Sequence, residues 1–354
     1  LVKQAHLKDM KVILDAVFNH SGDDFFAFQD VIENGEKSLY KDWFYVQDYP
    51  VLQEPKVNYR TFGSNLAYMP KFRTSNPQVR EYLLDVAKYW IEEIGIDGWR
   101  LDVCDEVDHY FWREFRNVVK EVNPEALIIG EIMHESVSFL KGDQLDSIMN
   151  YPFKEAVTDF FAKKEISAQE FEDMLAIQRA SYMCQVNQQM WNLLDSHDTA
   201  RFATECQADI KSIKLAVAFQ FSYIGTPYIY YGGEIGMEGD NDPDCRRCMI
   251  WEEGQQNREV YDTFKKLIQM RKECKTLVYG EYESLYTEDN VVGFRRFDKK
   301  TDIYAFFNNN EEEKIITLPL KGDYIDLYTK EKVKVDNKIS INPMEFRILK
   351  EVKQ

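Results

Sequence analysis

Between residues 77 and 94 the apolar positions Val79, Tyr82, Leu83, Val86, Ala87, Trp90, Ile91 and Ile94 recur at the three-and-four spacing of one buried helical face. Asn76 supplies an N-cap, Pro77 suits the first turn, and Gly95 stops the helix. The next residues, 96 to 103, read as a strand. The alternation returns at once: a helix from about His109 to Val122 ends at Asn123-Pro124, and residues 126 to 132 form another short apolar strand. Six strands can be read this way, near residues 12–17, 96–103, 126–132, 146–151, 190–195 and 227–231.

Strands alternating with helices predict a parallel α/β fold, either an open doubly wound sheet or a closed (β/α)8 barrel. Six strands fall short of the barrel, yet the first element, Leu1 to Met10, is a helix with no strand before it. Two strands are therefore expected to be absent from this chain, which would leave sheet edges open and prone to aggregation. Residues 21–75, between the first strand and the helix at Pro77, are too long for an ordinary loop and predict an inserted subdomain. Most of its rings, among them Phe25, Phe28, Trp43, Phe44, Tyr59 and Phe62, are expected to form its own core. From Thr276 onward, short apolar runs at 291–297, 303–307, 315–318 and 346–349 are bounded by Asp, Asn, Gly and Pro. They predict a separate antiparallel β-sandwich over 276–354, leaving 1–275 as the parallel domain.

Several parallel strands end in an acid: Val-Ile-Leu-Asp15, Trp-Arg-Leu-Asp102, Ile-Ile-Gly-Glu131 and Leu-Leu-Asp-Ser-His-Asp198. Parallel α/β folds build their sites at such carboxyl ends, and carboxylates gathered at one rim are costly to keep without a use. Arg100 and Asp102 lie two apart on a strand and share a face, so the guanidinium would keep the carboxylate ionised, as a nucleophile requires. Glu131, reached through an apolar run, suits a general acid. His20 and His197, beside these acids, are read as contacts to sugar hydroxyls.

The formal charge of −17 disfavours nucleic acid and anionic membrane surfaces as partners, and no apolar run is long enough to span a bilayer. Six cysteines, of which only Cys245 and Cys248 are close, fit free thiols in a reducing cytoplasm better than a metal site. The chain begins at Leu1, so its start carries no information on a signal peptide.

The segments Asp15-Ala-Val-Phe-Asn-His20, Gly98-Trp-Arg-Leu-Asp102, Gly130-Glu131 and Ser196-His-Asp198 resemble, in order and spacing, the four signature regions of the α-amylase family of glycoside hydrolases. Met69-Pro-Lys-Phe72, Asp105-Glu-Val-Asp-His109, Phe111-Trp-Arg-Glu114, Asn241-Asp-Pro243 and Arg246-Arg247 are similar to its cyclomaltodextrinase, neopullulanase and maltogenic amylase branch. The resemblance implies a (β/α)8 barrel entered at its third strand, Asp15 lying on that strand, and a C-terminal β domain. It implies Asp102 as nucleophile, Glu131 as acid/base and Asp198 as transition-state stabiliser. Asp15, His20, Arg100 and His197 would contact the sugar at the cleavage point, and Arg201 a further subsite.

The implied activity is retaining hydrolysis of α-1,4 bonds, with α-1,6 bonds also in range, in maltooligosaccharides, cyclodextrins or pullulan, with transglycosylation through the same intermediate. An α-1,6-glucosidase, a glucanotransferase or a non-catalytic scaffold are the alternatives. No cofactor is expected: calcium is not supported by this chain, since the loop that binds it in many relatives follows the missing first strand, and Asn19 is a calcium ligand only in some. Met133 and Phe72 stand where relatives commonly carry Trp and Leu. The full-length protein is expected to be cytoplasmic and to form a homodimer, as relatives often do.

Overall fold

The computed structural model describes residues 1–53, 56–63 and 66–352, so the inserted segment lacks 54, 55, 64 and 65. It comprises two compact units, Leu1–Met149 and Asn150–Gln354. Among the described residues no helix is long and apolar enough to cross a membrane.

In the first unit, strands β1 (Ile13–Ala16), β2 (Gly98–Leu101), β3 (Leu127–Ile132) and β4 (Ser147–Asn150) lie side by side in chain order. β2 is parallel to both neighbours, with Asp15 opposite Arg100 and Arg100 opposite Ile129. The tight approach of β3 needs Gly98, because a Cβ there would meet the Leu127 carbonyl oxygen at 2.4 Å. Helix α1 (Pro77–Tyr89) starts as its sequence predicts: Asn76 accepts from the Gln78 amide at 2.8 Å. It continues through a wider turn at Trp90–Ile94 and stops at Gly95, whose φ is 77°. Helix α2 (His109–Val122) is capped by Asp108 and buries Phe111, Trp112, Phe115 and Val119. Those side chains, with Trp99, Leu101, Ile128 and Ile129, fill the core beneath the strand ends. In the inserted segment Phe28 packs on Phe44 and Tyr59, and Phe44 on Phe72, a small aromatic core of its own.

In the second unit the expected strands near 190–195 and 227–231 shorten to β5 (Trp191–Asn192) and β6 (Thr226–Pro227), which pair in parallel. Leu193 and Leu194 stay buried, but the chain turns after Asn192, and Asp195 caps the next short helix through the Phe202 amide at 3.0 Å. Six antiparallel strands follow: β7 (Glu281–Tyr286), β8 (Val291–Phe297), β9 (Asp302–Asn308), β10 (Lys314–Asp326), β11 (Lys332–Ile341) and β12 (Glu345–Glu351). They form one continuous sheet in the order β11-β10-β12-β9-β8-β7. Ladder register breaks between Thr317 and Lys321, and β10 and β11 cover one face of the same sheet. Val291, Phe306 and Leu349 point to that inner core with Ile316, Val335 and Ile341. Their neighbours Val292, Phe307 and Ile348 point to the opposite face, where they join Phe219, Phe264 and Leu267 in one core. Packing therefore unites residues 150–354, although the change from helix to antiparallel strand falls near 276–280.

Asp97, just before β2, ties the start of the first unit together. It accepts from the Val12 amide at 2.8 Å and from Lys11 at 2.9 Å, and lies 2.7 Å from His6. Burial alone would raise its pKa, but these three contacts bring it down to about 2. A depressed carboxylate stabilises the fold above its unfolded pKa and loses that contribution as pH falls through the folded value. Asp97→Asn should therefore cost about 1 kcal/mol at pH 7, with the difference in thermal midpoint shrinking below pH 4 and closing toward pH 2.

Candidate active site

Register on three adjacent strands brings four of the sequence-predicted residues together in the first unit. Arg100 donates through Nη1 to both oxygens of Asp15, at 2.9 and 3.1 Å, and to Oδ1 of Asp102 at 2.7 Å. Its Nη2 lies 2.7 Å from Oε1 of Glu131 as an ion pair, without the alignment of a hydrogen bond. Exposure is graded across the cluster: the Asp15 side chain is 50% exposed, Asp102 19% and Glu131 7%, so Asp15 faces solvent and Glu131 is the sheltered end. Burial works against the Arg100 cation, but Glu131, Asp15 and Asp102 more than offset it and push its pKa up. The second Glu131 oxygen, Oε2, accepts from the Val103 amide at 2.9 Å. Val103 itself sits at φ 42°, ψ 45°, a left-handed conformation that a β-branched residue adopts at a cost of order 1–3 kcal/mol.

His20 is buried rather than open, its ring parallel to Phe62 with centroids 5.0 Å apart. Burial lowers its pKa, while the charges of Asp102 and Glu106 pull upward and Lys71 downward, so the imidazole favours its neutral form. Its neighbour Asn19 reaches Glu106 at 3.4 Å, and the Lys71 ammonium lies 2.7 Å from the same carboxylate. Among the described residues no group of three or more His, Cys, Asp or Glu side chains is arranged to hold a metal.

In the second unit His197 and Asp198 contact one another. Asp198 lies 3.0 Å from His197 Nε2 and accepts from Arg246 Nη2 at 3.1 Å, while Arg246 Nε donates to the His197 carbonyl at 2.9 Å. Arg201, expected at a subsite, is fully buried. It donates to the carbonyls of Cys245 and Tyr231 and stacks over the rings of Tyr230 and Tyr231. There it clamps its own loop. Sequence reasoning did not find the Val103 amide, which no side-chain pattern reveals. It also missed the ring of Phe62 against His20, and it knew Arg246 only as part of a motif.

Residues 1–280 match the model of the α-amylase catalytic domain. The chain is 50% identical over 351 residues to a cyclomaltodextrinase of Thermoanaerobacter pseudethanolicus, covering 99% of this chain and 61% of that protein. It is 49% identical over 358 residues to neopullulanase 2 of Thermoactinomyces vulgaris, with the same coverage of 99% and 61%. A solved cyclomaltodextrinase superposes with a TM-score of 0.95 at 42% identity, covering 99% of this chain and 62% of the other. The chain thus spans about three-fifths of the length of these curated relatives.

Three residues before Asp198, the carboxylate of Asp195 is buried among Leu194, Phe202, Ile213, Tyr230 and Phe264. Burial raises its pKa to about 6, against the Phe202 amide, Arg201 and Lys154, which pull downward, and with Glu234, which adds to the rise. A carboxyl group with a raised folded pKa binds more protons folded than unfolded, so stability falls as pH climbs from about 4 through 6, by at most about 3 kcal/mol. Asn at this position keeps an acceptor for the Phe202 amide. Asp195→Asn should therefore flatten that decline: the thermal midpoint of the variant minus that of the parent should be more positive at pH 7.5 than at pH 4.

Proposed function

Because this chain belongs to the α-amylase family, matching its catalytic-domain model over residues 1–280, we propose that it is the greater part of a retaining glycosidase of α-linked glucans, with Asp102 as nucleophile and Glu131 as acid/base. The observation that carries the reading is the hold of one guanidinium on both carboxylates, each within 2.7 Å of a different nitrogen of Arg100. Two carboxyl groups that close together suit the retaining geometry. Asp102, held by Arg100 at 2.7 Å, attacks the anomeric carbon while Glu131 protonates the departing oxygen. Glu131 then takes a proton from water, or from another sugar's hydroxyl, as the glycosyl–Asp102 bond breaks and the α configuration is restored.

Asp198, oriented by His197 and Arg246, is the proposed stabiliser of the transition state. Asp15, His20, Arg100 and His197 are the proposed contacts to the sugar at the cleavage point. Arg201 is the proposed contact of a further subsite, with Nε and Nη1 on carbonyls and Nη2 making no hydrogen bond among the described residues. Maltooligosaccharides, cyclodextrins and pullulan are the proposed substrates; the relatives named cyclomaltodextrinase and neopullulanase support them. Six unpaired cysteines support work in a reducing cytoplasm, and the branch it resembles supports a homodimer for the full-length protein.

The test is Asp102→Asn in the full-length protein, with release of maltose or panose from cyclodextrin, maltotetraose and pullulan as the readout. The rate should fall on the order of 10⁴-fold, whereas unchanged release would sink the assignment.

A further inference from the structure

The turn after the proposed nucleophile conflicts with its own sequence. Val103 takes φ 42°, ψ 45°, which glycine adopts freely and a β-branched residue resists. Everything around it holds the conformation in place. On one side the Asp102 amide donates to the Ala16 carbonyl at 3.2 Å. On the other, Cys104 is fully buried, its thiol donating to the Glu131 carbonyl at 3.4 Å and its own carbonyl accepting from Trp112 Nε1 at 2.7 Å. Strand β3 closes on that thiol only because residue 130 is glycine: a Cβ there would come within 2.7 Å of Cys104 Sγ and 2.5 Å of Leu145 Cδ1. What the strained conformation yields is one directed contact, the Val103 amide to Oε2 of Glu131 at 2.9 Å.

Resting on the acid/base reading of Glu131, we infer that Val103 is a positioning residue, whose strained turn aims its backbone N–H at Glu131 Oε2 and, with the Arg100 guanidinium 2.7 Å from Oε1, fixes the orientation of the catalytic carboxyl group. The carboxyl held in this way passes its proton to the glycosidic oxygen as the sugar–oxygen bond breaks; in the second step it takes one proton back from water. Strain is tolerated here because a general acid held in one orientation gains in positioning what the backbone loses.

The decisive variant removes the hydrogen and little else: replacement of Val103 in the full-length protein by its α-hydroxy counterpart, which turns the amide into an ester and keeps the side chain. Two substrates separate the roles, maltotetraose, whose departing oxygen needs a proton, and α-maltosyl fluoride followed through its first, single-turnover release of fluoride, a step that needs none. The ester should slow maltotetraose roughly tenfold in kcat and leave the fluoride within about twofold. It should also move the alkaline limb of the maltotetraose pH profile to higher pH, because an N–H donated to a carboxylate favours the ionised form and its loss favours the acid. Equal slowing of both substrates, or an alkaline limb that stays in place, would overturn the proposal. Val103→Gly provides the second measurement: it relieves the strain and frees the turn, so the thermal midpoint should hold or rise while maltotetraose turnover falls and the first release of fluoride does not. A Gly variant that is more stable and equally active on both substrates overturns the proposal. Glu131→Gln tests the underlying reading separately: it should abolish maltotetraose turnover and spare the first release of fluoride, which needs no proton, while slowing the second step, which needs the base; loss of that first release as well removes the acid/base role itself.

Discussion

One guanidinium holds the candidate site together. Arg100 contacts Asp15, Asp102 and Glu131 at once, and three carboxylates gathered around one point would repel one another without it. The arrangement follows from parallel pairing: Asp15 lies opposite Arg100 in register, and Arg100 opposite Ile129, two residues before Glu131. Residues two apart on a strand share a face, so β1 sends up Asp15, β2 sends up Arg100 and Asp102, and β3 sends up Glu131. Only the middle strand supplies a cation. Losing one member of a buried ion pair costs about 3–5 kcal/mol, because it leaves the other charge uncompensated. Here one loss would leave several.

Such a cluster needs a rigid floor. Trp99 and Leu101 alternate with Arg100 and Asp102 along β2 and point the other way, into the core with Phe111, Phe115 and Ile128. Burial of this kind stabilises by roughly 25 cal/mol per Å² of apolar surface, and the surplus is spent locally on features that a stability-optimised chain would lack. Val103 in a left-handed turn is one, and a buried Asp195 whose pKa rises to about 6 is another. Both lie within three residues of a proposed catalytic acid. A left-handed valine and a buried carboxylate are features of the kind that gather at functional sites.

The legible parts of this chain were those written in side-chain spacing. Helix α1 with its Asn76 cap and Gly95 stop, the strand ends bearing Asp15, Asp102 and Glu131, and the Arg100–Asp102 pairing all depend on periods of two or three-to-four, which the sequence displays directly. Backbone conformation is not displayed in that way. Nothing about a valine announces a positive φ, so the Val103 amide was invisible. Strand β11, Lys-Val-Lys-Val-Asp-Asn-Lys-Ile-Ser-Ile, buries only Val335, Ile339 and Ile341 among its residues, and its polar half hid it. β7 was hidden for a similar reason, with no fully buried residue along its length.

Arginine shows where sequence pattern must yield to burial and partner. Arg100 and Arg201 both sit close to a strand-end acid, and position alone gives both a role toward ligand. Their acceptors separate them. Arg100 spends its nitrogens on carboxylates, which change charge or bonding as a reaction proceeds, so its grip can shift with the chemistry. Arg201 turns Nε and Nη1 to the carbonyls of Cys245 and Tyr231 and stacks on the faces of two tyrosines, acceptors that no reaction step alters, while its Nη2 makes no hydrogen bond among the described residues. A guanidinium bonded to main chain serves architecture, and one bonded to ionisable side chains can serve catalysis. For this chain that distinction comes from the partners of each nitrogen.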